Sequence, residues 1–349
     1  MSDLTTEFSE RVAAASAEMP LCIRGGGSKD FYGETPRGEI LDTRGHCGIV
    51  AYEPTELVIT ARCGTPLAEI EAALAVQDQF LPFEVPSFSG LATIGGAVAA
   101  GLSGPRRASV GALRDFVLGV TILSGVPRRL TFGGTVMKNV AGYDVSRLIA
   151  GSMGTLGLIL EVSLKVLPRP VAEATLRVDL PQDKAIEMLN AWGGQPLPIS
   201  ASCWCDDVLT LRLSGAEAAV AAAKIKLGGE PVAEAAAFWN DLSEQRHKFF
   251  AGTETLWRLS LPSIAPPLDL PGAQLIEWGG SQRWWHGEAG AARAAATSAG
   301  GHAVLFRGAD KSAGVFQPLS APLRQIHQRL KAAFDPRGVF NPGRLYPDF

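Results

Sequence analysis

The placement of glycine restricts how this chain can fold more than any other feature of its sequence. The 39 glycines gather in tight clusters, and the first, Gly25-Gly26-Gly27, directly follows residues 21–24, which read as a short strand. Consecutive glycines let successive backbone N–H groups converge on an anion, and no side chain blocks its approach. Residues 24–28 therefore predict a phosphate-binding turn, with an ordinary glycine turn as the alternative.

Further clusters of small residues recur along the first half of the chain. They occupy residues 93–101, 103–107, 111–115, 133–134, 138–144 and 151–157. Repeated small residues at turns suit a long, thin ligand threaded between backbone segments. The first cluster is not G-x-G-x-x-G and no βαβ unit follows it, which argues against a Rossmann site. Packing alone explains any single cluster, but the whole set predicts an extended ligand.

The two halves of the chain differ in pattern, and Pro168-Arg169-Pro170 separates them. We place a first domain at residues 1–170, a second at 171–334 and a C-terminal tail at 335–349. In the second domain, apolar periodicity predicts the order strand, helix, strand, strand, helix, which is typical of a ferredoxin-like α+β sheet. The sequence therefore predicts a chain of the α+β class.

Composition argues against several classes of function. The formal charge of −3 is unlike that of nucleic-acid-binding proteins, which cluster Lys and Arg. The five cysteines match neither a disulfide framework nor the closely spaced ligands of an iron–sulfur cluster, and the five histidines lack metal-site spacing. No signal peptide or apolar run of about 20 residues is visible. We therefore expect a cytoplasmic protein without a metal site.

The order of these motifs resembles the FAD-binding domain of the vanillyl-alcohol oxidase and p-cresol methylhydroxylase flavoproteins. The runs Ala92-Thr93-Ile94-Gly95-Gly96 and Gly133 to Asp144 are especially similar to the E-subunit family of bacterial glycolate dehydrogenases, also called glycolate oxidases. Leu256 to Ser260, Glu277 to Gly280 and Phe340 to Arg344 extend the similarity over essentially the whole chain. The resemblance implies a two-part FAD-binding domain, a smaller α+β domain after it, and a tail that returns to the FAD domain.

The resemblance also assigns FAD contacts to particular positions. Residues 24–28 would hold the pyrophosphate, residues 93–103 would line the phosphates and the isoalloxazine, residues 154–159 would border the adenine and ribose, and the tail would reach towards the flavin ring. The full set is Arg24, Gly25, Gly26, Gly27, Ser28, Thr93, Gly95, Gly96, Gly101, Ser103, Gly154, Gly157, Ile159, Asn341 and Arg344. Relatives with covalent flavin often carry a histidine soon after the glycine turn. Here the turn continues as Ser28-Lys29-Asp30, so we expect noncovalent FAD.

By the same resemblance, the chain is expected to be the FAD-binding subunit of a multi-subunit glycolate dehydrogenase. A larger FAD-linked subunit would oxidise glycolate to glyoxylate, and an iron–sulfur subunit would pass the electrons to a quinone. Any association with the inner membrane would be peripheral, through these partners. Two alternatives stay open: a self-sufficient FAD-linked oxidoreductase of a small 2-hydroxy acid or alcohol, and a non-catalytic FAD-binding scaffold.

Few residues are candidates for catalysis. Arg258 and Arg283 lie beside tryptophans and could grip a substrate carboxylate through their guanidinium forks, or they could be structural arginines steadied by stacking. His302 begins a predicted strand and could face the flavin or be structural. The tryptophan-rich segment 278–285 predicts either a partner surface or packing in the core of the chain.

Overall fold

Neither of the two units of this fold is a continuous stretch of sequence. The computed structural model describes residues 4–88, 90–135, 144–252 and 255–349. Unit 1 comprises Met1–Leu102, Ala112–Pro168 and Pro318–Phe349, and unit 2 comprises Ser103–Gly111 and Arg169–Gln317. The expectation that residues 171–334 form one domain differs from this division, because residues 318–334 belong to unit 1. The Lys331 ammonium ties that segment there by donating to the carbonyls of Thr155 and Phe340.

Unit 1 is built on an antiparallel sheet. Numbered in chain order over the whole protein, its elements are α1 (Leu4–Ala14), β1 (Leu21–Arg24), β2 (Glu39–Asp42), β3 (Ile49–Glu53), β4 (Val58–Arg62), α2 (Leu67–Ala75), β5 (Gln79–Phe80), α3 (Ile94–Ala100), β6 (Val117–Leu123), β7 (Arg129–Gly133), α5 (Val145–Ile149), β8 (Leu158–Lys165), β9 (Leu167–Pro168) and α10 (Ala321–Phe334). Five strands form one sheet in the order β3-β4-β8-β6-β7, with every neighbouring pair antiparallel. Strand β8 lies at the centre of this sheet, and residues on both of its faces are buried.

A second, smaller layer of unit 1 positions the glycine turn. Strands β1 and β2 pair in parallel, and the C-terminal segment forms a parallel bridge to β1 between Leu21 and Phe340. The Leu21 N–H donates to the Val339 carbonyl at 2.7 Å, and the Asn341 N–H donates to the Leu21 carbonyl at 3.0 Å. Phe340 packs in one core cluster with Phe8 of α1 and with residues of β6 and β8. Both ends of the chain therefore hold the strand that leads into the turn.

Unit 2 contains an eight-stranded sheet. Its elements are α4 (Arg107–Val110), β10 (Ala172–Asp179), α6 (Gln182–Gly193), β11 (Ile199–Cys205), β12 (Val208–Gly215), α7 (Glu217–Leu227), β13 (Glu230–Pro231), α8 (Ala235–Ser243), β14 (Leu256–Ser260), β15 (Gln274–Glu277), β16 (Gln282–His286), α9 (Ala289–Ser298) and β17 (His302–Arg307). The strand order is β13-β10-β12-β11-β15-β16-β14-β17. In neither unit does any helix of the described ranges have the length and apolarity needed to cross a bilayer.

The first four strands of this sheet follow the predicted ferredoxin-like pattern. Their order β13-β10-β12-β11 places the fourth strand of the motif beside the first and the third beside the second, with all three pairs antiparallel. Helix α6 packs through Ile186 and Leu189 on Leu209 and Leu211 of β12, and α7 packs on Leu213. Both helices therefore cover the same face of the sheet, since residues 209, 211 and 213 alternate with those of the other face.

The tryptophan-rich segment lies in the remaining four-stranded part of the sheet, and the expectation that it forms a partner surface is wrong. Trp278, Trp284 and Trp285 are all buried. The Trp278 indole N–H donates to the Gly104 carbonyl at 3.1 Å, that of Trp284 to the Glu277 carboxylate at 2.6 Å, and that of Trp285 to the Pro271 carbonyl at 2.8 Å. Of the two interpretations of residues 278–285, a partner surface or packing in the core of the chain, the structure therefore shows packing in the core.

Candidate cofactor site

The glycine turn after β1 is packed so closely that side chains do not fit. A Cβ on Gly26 would lie 1.5 Å from the Leu91 carbonyl oxygen, and one on Gly25 would lie 2.3 Å from the Thr93 hydroxyl oxygen. Gly27 has φ +73°, in the left-handed region that glycine adopts without a Cβ penalty. The turn therefore runs directly against residues 91–93, which lead into α3.

A cavity of about 90 Å³ opens beside this turn, within unit 1. Its lining combines the turn, one side of α3, the C-terminal segment and Met153. The lining residues are Cys22, Ile23, Arg24, Gly25, Gly26, Gly27, Ser28, Lys29, Asp30, Pro36, Thr93, Gly96, Ala99, Ala100, Met153, Asn341 and Arg344. Small residues predominate next to the turn, so a ligand can approach the backbone.

The polar groups around the cavity match an anionic ligand. Among the described residues, the N–H groups of residues 25–28 donate to no acceptor, although buried or half-buried amides are nearly always paired. Lys29 is only 9 % exposed, and its ammonium lies 3.3 Å from the Ser28 hydroxyl oxygen. The lining carries three cations, Arg24, Lys29 and Arg344, and one carboxylate, Asp30. A group with about two negative charges and several acceptor oxygens, such as a pyrophosphate, fits this set.

Two C-terminal side chains hold the edge of the cavity. The Asn341 amide bridges β1 to the loop after α5, because its Oδ1 accepts from the Ile23 N–H at 2.7 Å and its Nδ2 donates to the Met153 carbonyl at 2.6 Å. The Arg344 guanidinium donates to the carbonyls of Glu34 and Tyr32, and to that of Asp30 at 3.0 Å. Burial lowers the pKa of Arg344, and the Asp30 charge opposes that shift. Asn341 therefore fixes the strand before the glycine turn, and Arg344 fixes the loop after it.

The predicted FAD residues fall into two groups. Those that line the cavity are Arg24, Gly25, Gly26, Gly27, Ser28, Thr93, Gly96, Asn341 and Arg344. Thr93 is also the N-cap of α3, and its hydroxyl oxygen accepts from the Gly96 N–H at 3.3 Å. Residues that the sequence did not single out join them, chiefly Lys29, Met153 and the alanines Ala99 and Ala100, which lie one turn beyond Gly96 on α3.

The other predicted FAD residues do not line this cavity. A Cβ would collide with Cys63 at Gly95, with Gly151 at Gly101 and with the Asn341 amide at Gly154. At Gly157 it would lie 3.0 Å from the Leu123 carbonyl oxygen, a tight contact. Ile159 is buried in β8 opposite Ile122. Ser103 belongs to unit 2. Of the run from Gly133 to Asp144, residues 136–143 lie outside the described residues.

The candidate catalytic residues of unit 2 lie on opposite faces of its sheet. Arg283 is 0 % exposed and donates to the backbone carbonyls of Ala265 and Pro266, and burial lowers its pKa to about 10. These contacts give it a structural role. Arg258 and His302 share the other face, since Ser260 pairs with His302 and lies two residues from Arg258. Burial, then the Arg258 charge, lowers the pKa of His302.

Comparison with known proteins assigns the family. Residues 5–126 match the family described as FAD binding domain. Over 96 % of its length the chain is 53 % identical to the glycolate oxidase subunit GlcE of Escherichia coli strain K12, and the match covers 95 % of that protein. The chain belongs to the GlcE family of glycolate oxidase subunits. It is thus a member of an FAD-dependent oxidoreductase family, and its cofactor is FAD.

More distant relatives match parts of the chain. The glycolate oxidase subunit GlcD of Bacillus subtilis strain 168 is 31 % identical over 49 % of this chain, which corresponds to 37 % of that protein. Among solved structures, alkyldihydroxyacetonephosphate synthase has a TM-score of 0.65 at 16 % identity, covering 97 % of this chain and 73 % of the other. The shared fold confirms the predicted p-cresol methylhydroxylase-type α+β class. The described residues contain no group of three or more His, Cys, Asp or Glu arranged to hold a metal ion.

Proposed function

We propose that this chain is the FAD-binding subunit of a multi-subunit glycolate dehydrogenase, which converts glycolate to glyoxylate. The observation that carries the proposal is the 53 % identity to a glycolate oxidase subunit over nearly the whole chain. The partial match to a GlcD subunit, of which 37 % is covered, supports a larger FAD-linked partner. In the proposed complex an iron–sulfur subunit carries electrons to a quinone, and the chain reaches the inner membrane through its partners.

In this function, the glycine turn of unit 1 holds the FAD pyrophosphate without a covalent link. The N–H groups of residues 25–28 donate to phosphate oxygens, and the Lys29 ammonium offsets their charge. Asn341 and Arg344 position the turn through their backbone contacts and border the ligand. When bound, the flavin would accept electrons and pass them on.

Oxidation of glycolate also needs a base for the hydroxyl proton and a cation for the carboxylate. We assign this step to the larger subunit and assign electron transfer to the present chain. The face of the unit 2 sheet that carries Arg258 and His302 is the rival site, because a neutral imidazole beside a guanidinium could serve both needs. If this rival is correct, the chain oxidises glycolate on its own.

Reconstitution from separately purified subunits distinguishes these proposals. The chain, the cognate larger flavoprotein and the iron–sulfur subunit are combined, and glycolate-dependent reduction of a soluble quinone analogue is measured with each component omitted in turn. We expect activity only with all three present. In anaerobic stopped-flow experiments, glycolate should bleach the flavin of the isolated chain very slowly or not at all.

Three outcomes would contradict the assignment. Rapid, saturable bleaching of the isolated chain by glycolate, lost in Arg258→Gln and His302→Gln, would make it a self-sufficient oxidoreductase. Full quinone reduction without this chain would remove it from the electron path. Undiminished activity after replacement of bound FAD in this chain alone by a 5-deaza analogue, which does not carry single electrons, would make it a scaffold.

A further inference from the structure

Unit 2 contains a cavity of about 240 Å³ that the proposed function does not use. Its volume is well above the ~10–15 Å³ that one water molecule needs. The lining residues are Arg177, Cys203, Cys205, Asp206, Val208, Thr210, Val232, Phe238, His247 and Lys248. They come from β10, β11, β12 and the turn between the last two, from the segment between β13 and α8, from α8 and from the residues that follow α8.

The floor of this cavity is the sheet face opposite α6 and α7. Leu209 and Leu211 of β12 point to those helices, so Thr210 between them points to the other face. Thr210 pairs with Arg177 on one side and with Cys203 on the other, which places the three side chains in one row. The row therefore runs across three strands and along the cavity floor.

One polar group on the floor lacks a protein partner. Thr210 is only 4 % exposed, and its hydroxyl makes no hydrogen bond to any described residue. A hydroxyl that faces a cavity bonds to whatever fills it. Since Thr210 lines the cavity, its hydroxyl can bond an occupant with a hydrogen-bonding atom.

A second donor comes from the wall. The His247 Nδ1 accepts a hydrogen bond from the Phe249 N–H at 3.3 Å, which leaves the proton of the neutral ring on Nε2. Burial, then the Lys248 charge, lowers the pKa of His247, so the ring is neutral at pH 7. Its Nε2–H is therefore a neutral donor beside the cavity.

The lining carries one net positive charge. The Lys248 ammonium pairs with the Asp206 carboxylate at 2.6 Å, so these two charges offset each other. Burial raises the pKa of the Cys205 thiol to about 12 and that of Cys203 well above its usual value, so both are neutral. Arg177 makes no ion pair with a lining residue, and the carboxylate opposite it on β13, Glu230, does not line the cavity. A single anionic charge on a ligand would balance Arg177.

We propose that this cavity binds a short-chain monocarboxylate, whose carboxylate is held by the Arg177 guanidinium, the Thr210 hydroxyl and the His247 Nε2–H. The carbon chain lies against Val232 and Phe238. A planar carboxylate suits the guanidinium fork, and its single charge matches the balance of the lining. Inorganic phosphate and dicarboxylates carry close to two negative charges, and the second charge would lie against the apolar wall without a partner.

The site is tested by titrating the isolated full-length chain with butyrate while the imidazole signals of selectively labelled histidines are followed by NMR. We expect a saturable shift of the His247 signal, assigned with His247→Gln, and a rise in the pKa of His247 when butyrate is bound, because a nearby anion favours imidazolium. The neutral isostere butyramide should cause no saturable shift. Succinate and inorganic phosphate should bind roughly tenfold more weakly.

Matched variants connect the binding to the cavity. Thr210→Val removes the hydroxyl and keeps the shape, and Arg177→Gln removes the charge at an exposed rim; each should weaken butyrate binding by roughly tenfold. Thr210→Ser keeps the hydroxyl and should bind within about twofold of the parent. Arg169→Gln, at an exposed arginine outside the lining, serves as the control and should leave binding unchanged. Circular dichroism checks that every variant is folded.

Several results would overturn the proposal. The first is the absence of a saturable His247 shift up to roughly 50 mM butyrate, a concentration well above the dissociation constant expected for a small ligand with three polar contacts. The second is binding of butyramide that equals the binding of butyrate. Tighter binding of phosphate than of butyrate would make this a phosphate site. Folded Thr210→Val and Arg177→Gln variants that bind like the parent would place the carboxylate elsewhere. All of these readouts are independent of glycolate turnover, so they do not depend on the proposed function.

Discussion

In the proposed FAD site, single residues of the glycine turn would set how closely the cofactor can approach the backbone. Gly26→Asp adds a side chain where a Cβ already meets the Leu91 carbonyl oxygen at 1.5 Å, and it adds a negative charge beside the pyrophosphate site. The steric and electrostatic effects act in the same direction, so we expect FAD to be lost. The measurement is the flavin-to-protein ratio of the purified variant. Gly290→Asp, at a glycine with nothing within 4 Å of a Cβ, is the control and should keep its FAD.

Because Gly26→Asp could also disturb folding, Ser28 provides a purely electrostatic comparison. Ser28→Asp and Ser28→Asn have nearly equal size and differ by one negative charge beside the phosphates. We expect the aspartate variant to bind FAD at least about tenfold more weakly than the asparagine variant, and high salt should reduce the difference. Equal FAD affinities of the two variants would mean that the pyrophosphate does not lie at this turn.

The half-buried His247 makes stability depend on pH in one direction. Its pKa is lowered below 6.5 in the folded chain, first by burial and then by Lys248. The unfolded chain therefore takes up this proton first as pH falls, so the contribution of His247 to the free energy of unfolding decreases as the pH falls through about 6.5 and is constant well above it. In urea unfolding experiments, His247→Gln should lose less stability than the parent between about pH 7.5 and 5.5. Equal losses in the two proteins would contradict this assignment.

Among the elements, α10 carries a buried ion pair that fixes the C-terminal segment. The Lys331 ammonium donates to the Asp335 carboxylate at 2.7 Å and to the carbonyls of Thr155 and Phe340, both at 2.8 Å. Asp335 in turn accepts from the N–H groups of Val339 and Phe340, at 3.0 and 2.8 Å. Every donor of the ammonium is thus used, and the pair holds the chain immediately before Asn341.

Replacing Lys331 by Met should therefore destabilise the chain strongly. The variant leaves the fully buried Asp335 carboxylate without its counter-ion, which typically costs about 3–5 kcal/mol. The free energy of unfolding in urea measures the loss, and Arg329→Met, at an exposed cation of the same helix, should change it by less than about 0.5 kcal/mol. Adding Asp335→Asn to Lys331→Met should restore part of the stability. A loss equal to that of Arg329→Met would show that the pair is dispensable.

The sequence predicted those elements whose signals are local. Glycines directly after an apolar strand predicted the turn at residues 24–28, and periodicity predicted the ferredoxin-like part of unit 2. Strand β16 was missed because tryptophans follow one another there and both faces of the strand are buried, which hides the alternation. Helix α10 was placed in the wrong unit, since its partner Thr155 is 176 residues away in sequence.

Long-range packing likewise decided which predicted FAD residues line the cavity. Gly95 and Gly96 are adjacent and identical residues, yet Gly96 lines the cavity while Gly95 faces Cys63. A helix turns about 100° per residue, so adjacent glycines serve different surfaces, and only the tertiary fold shows which one. The same holds for Asn341, whose amide reaches a strand 318 residues earlier in sequence.

At the scale of the whole molecule, the proposed noncovalent binding of FAD would make the stability of the protein depend on the flavin concentration. The residues after the glycine turn, Ser28-Lys29-Asp30, include no histidine to which flavin could be linked. We therefore expect the pure protein to be yellow and acid precipitation to release intact FAD into the supernatant, where mass spectrometry identifies it. The resulting apoprotein should regain stability on FAD addition, by about 2.7 kcal/mol at 100 times the dissociation constant. Because folding and binding are linked, Ser28→Asp should need more FAD for the same gain in stability.

Two outcomes would contradict this prediction. Flavin that stays with the precipitate would show a covalent bond. A colourless protein whose melting temperature does not change when FAD is added would show that the glycine turn binds no FAD.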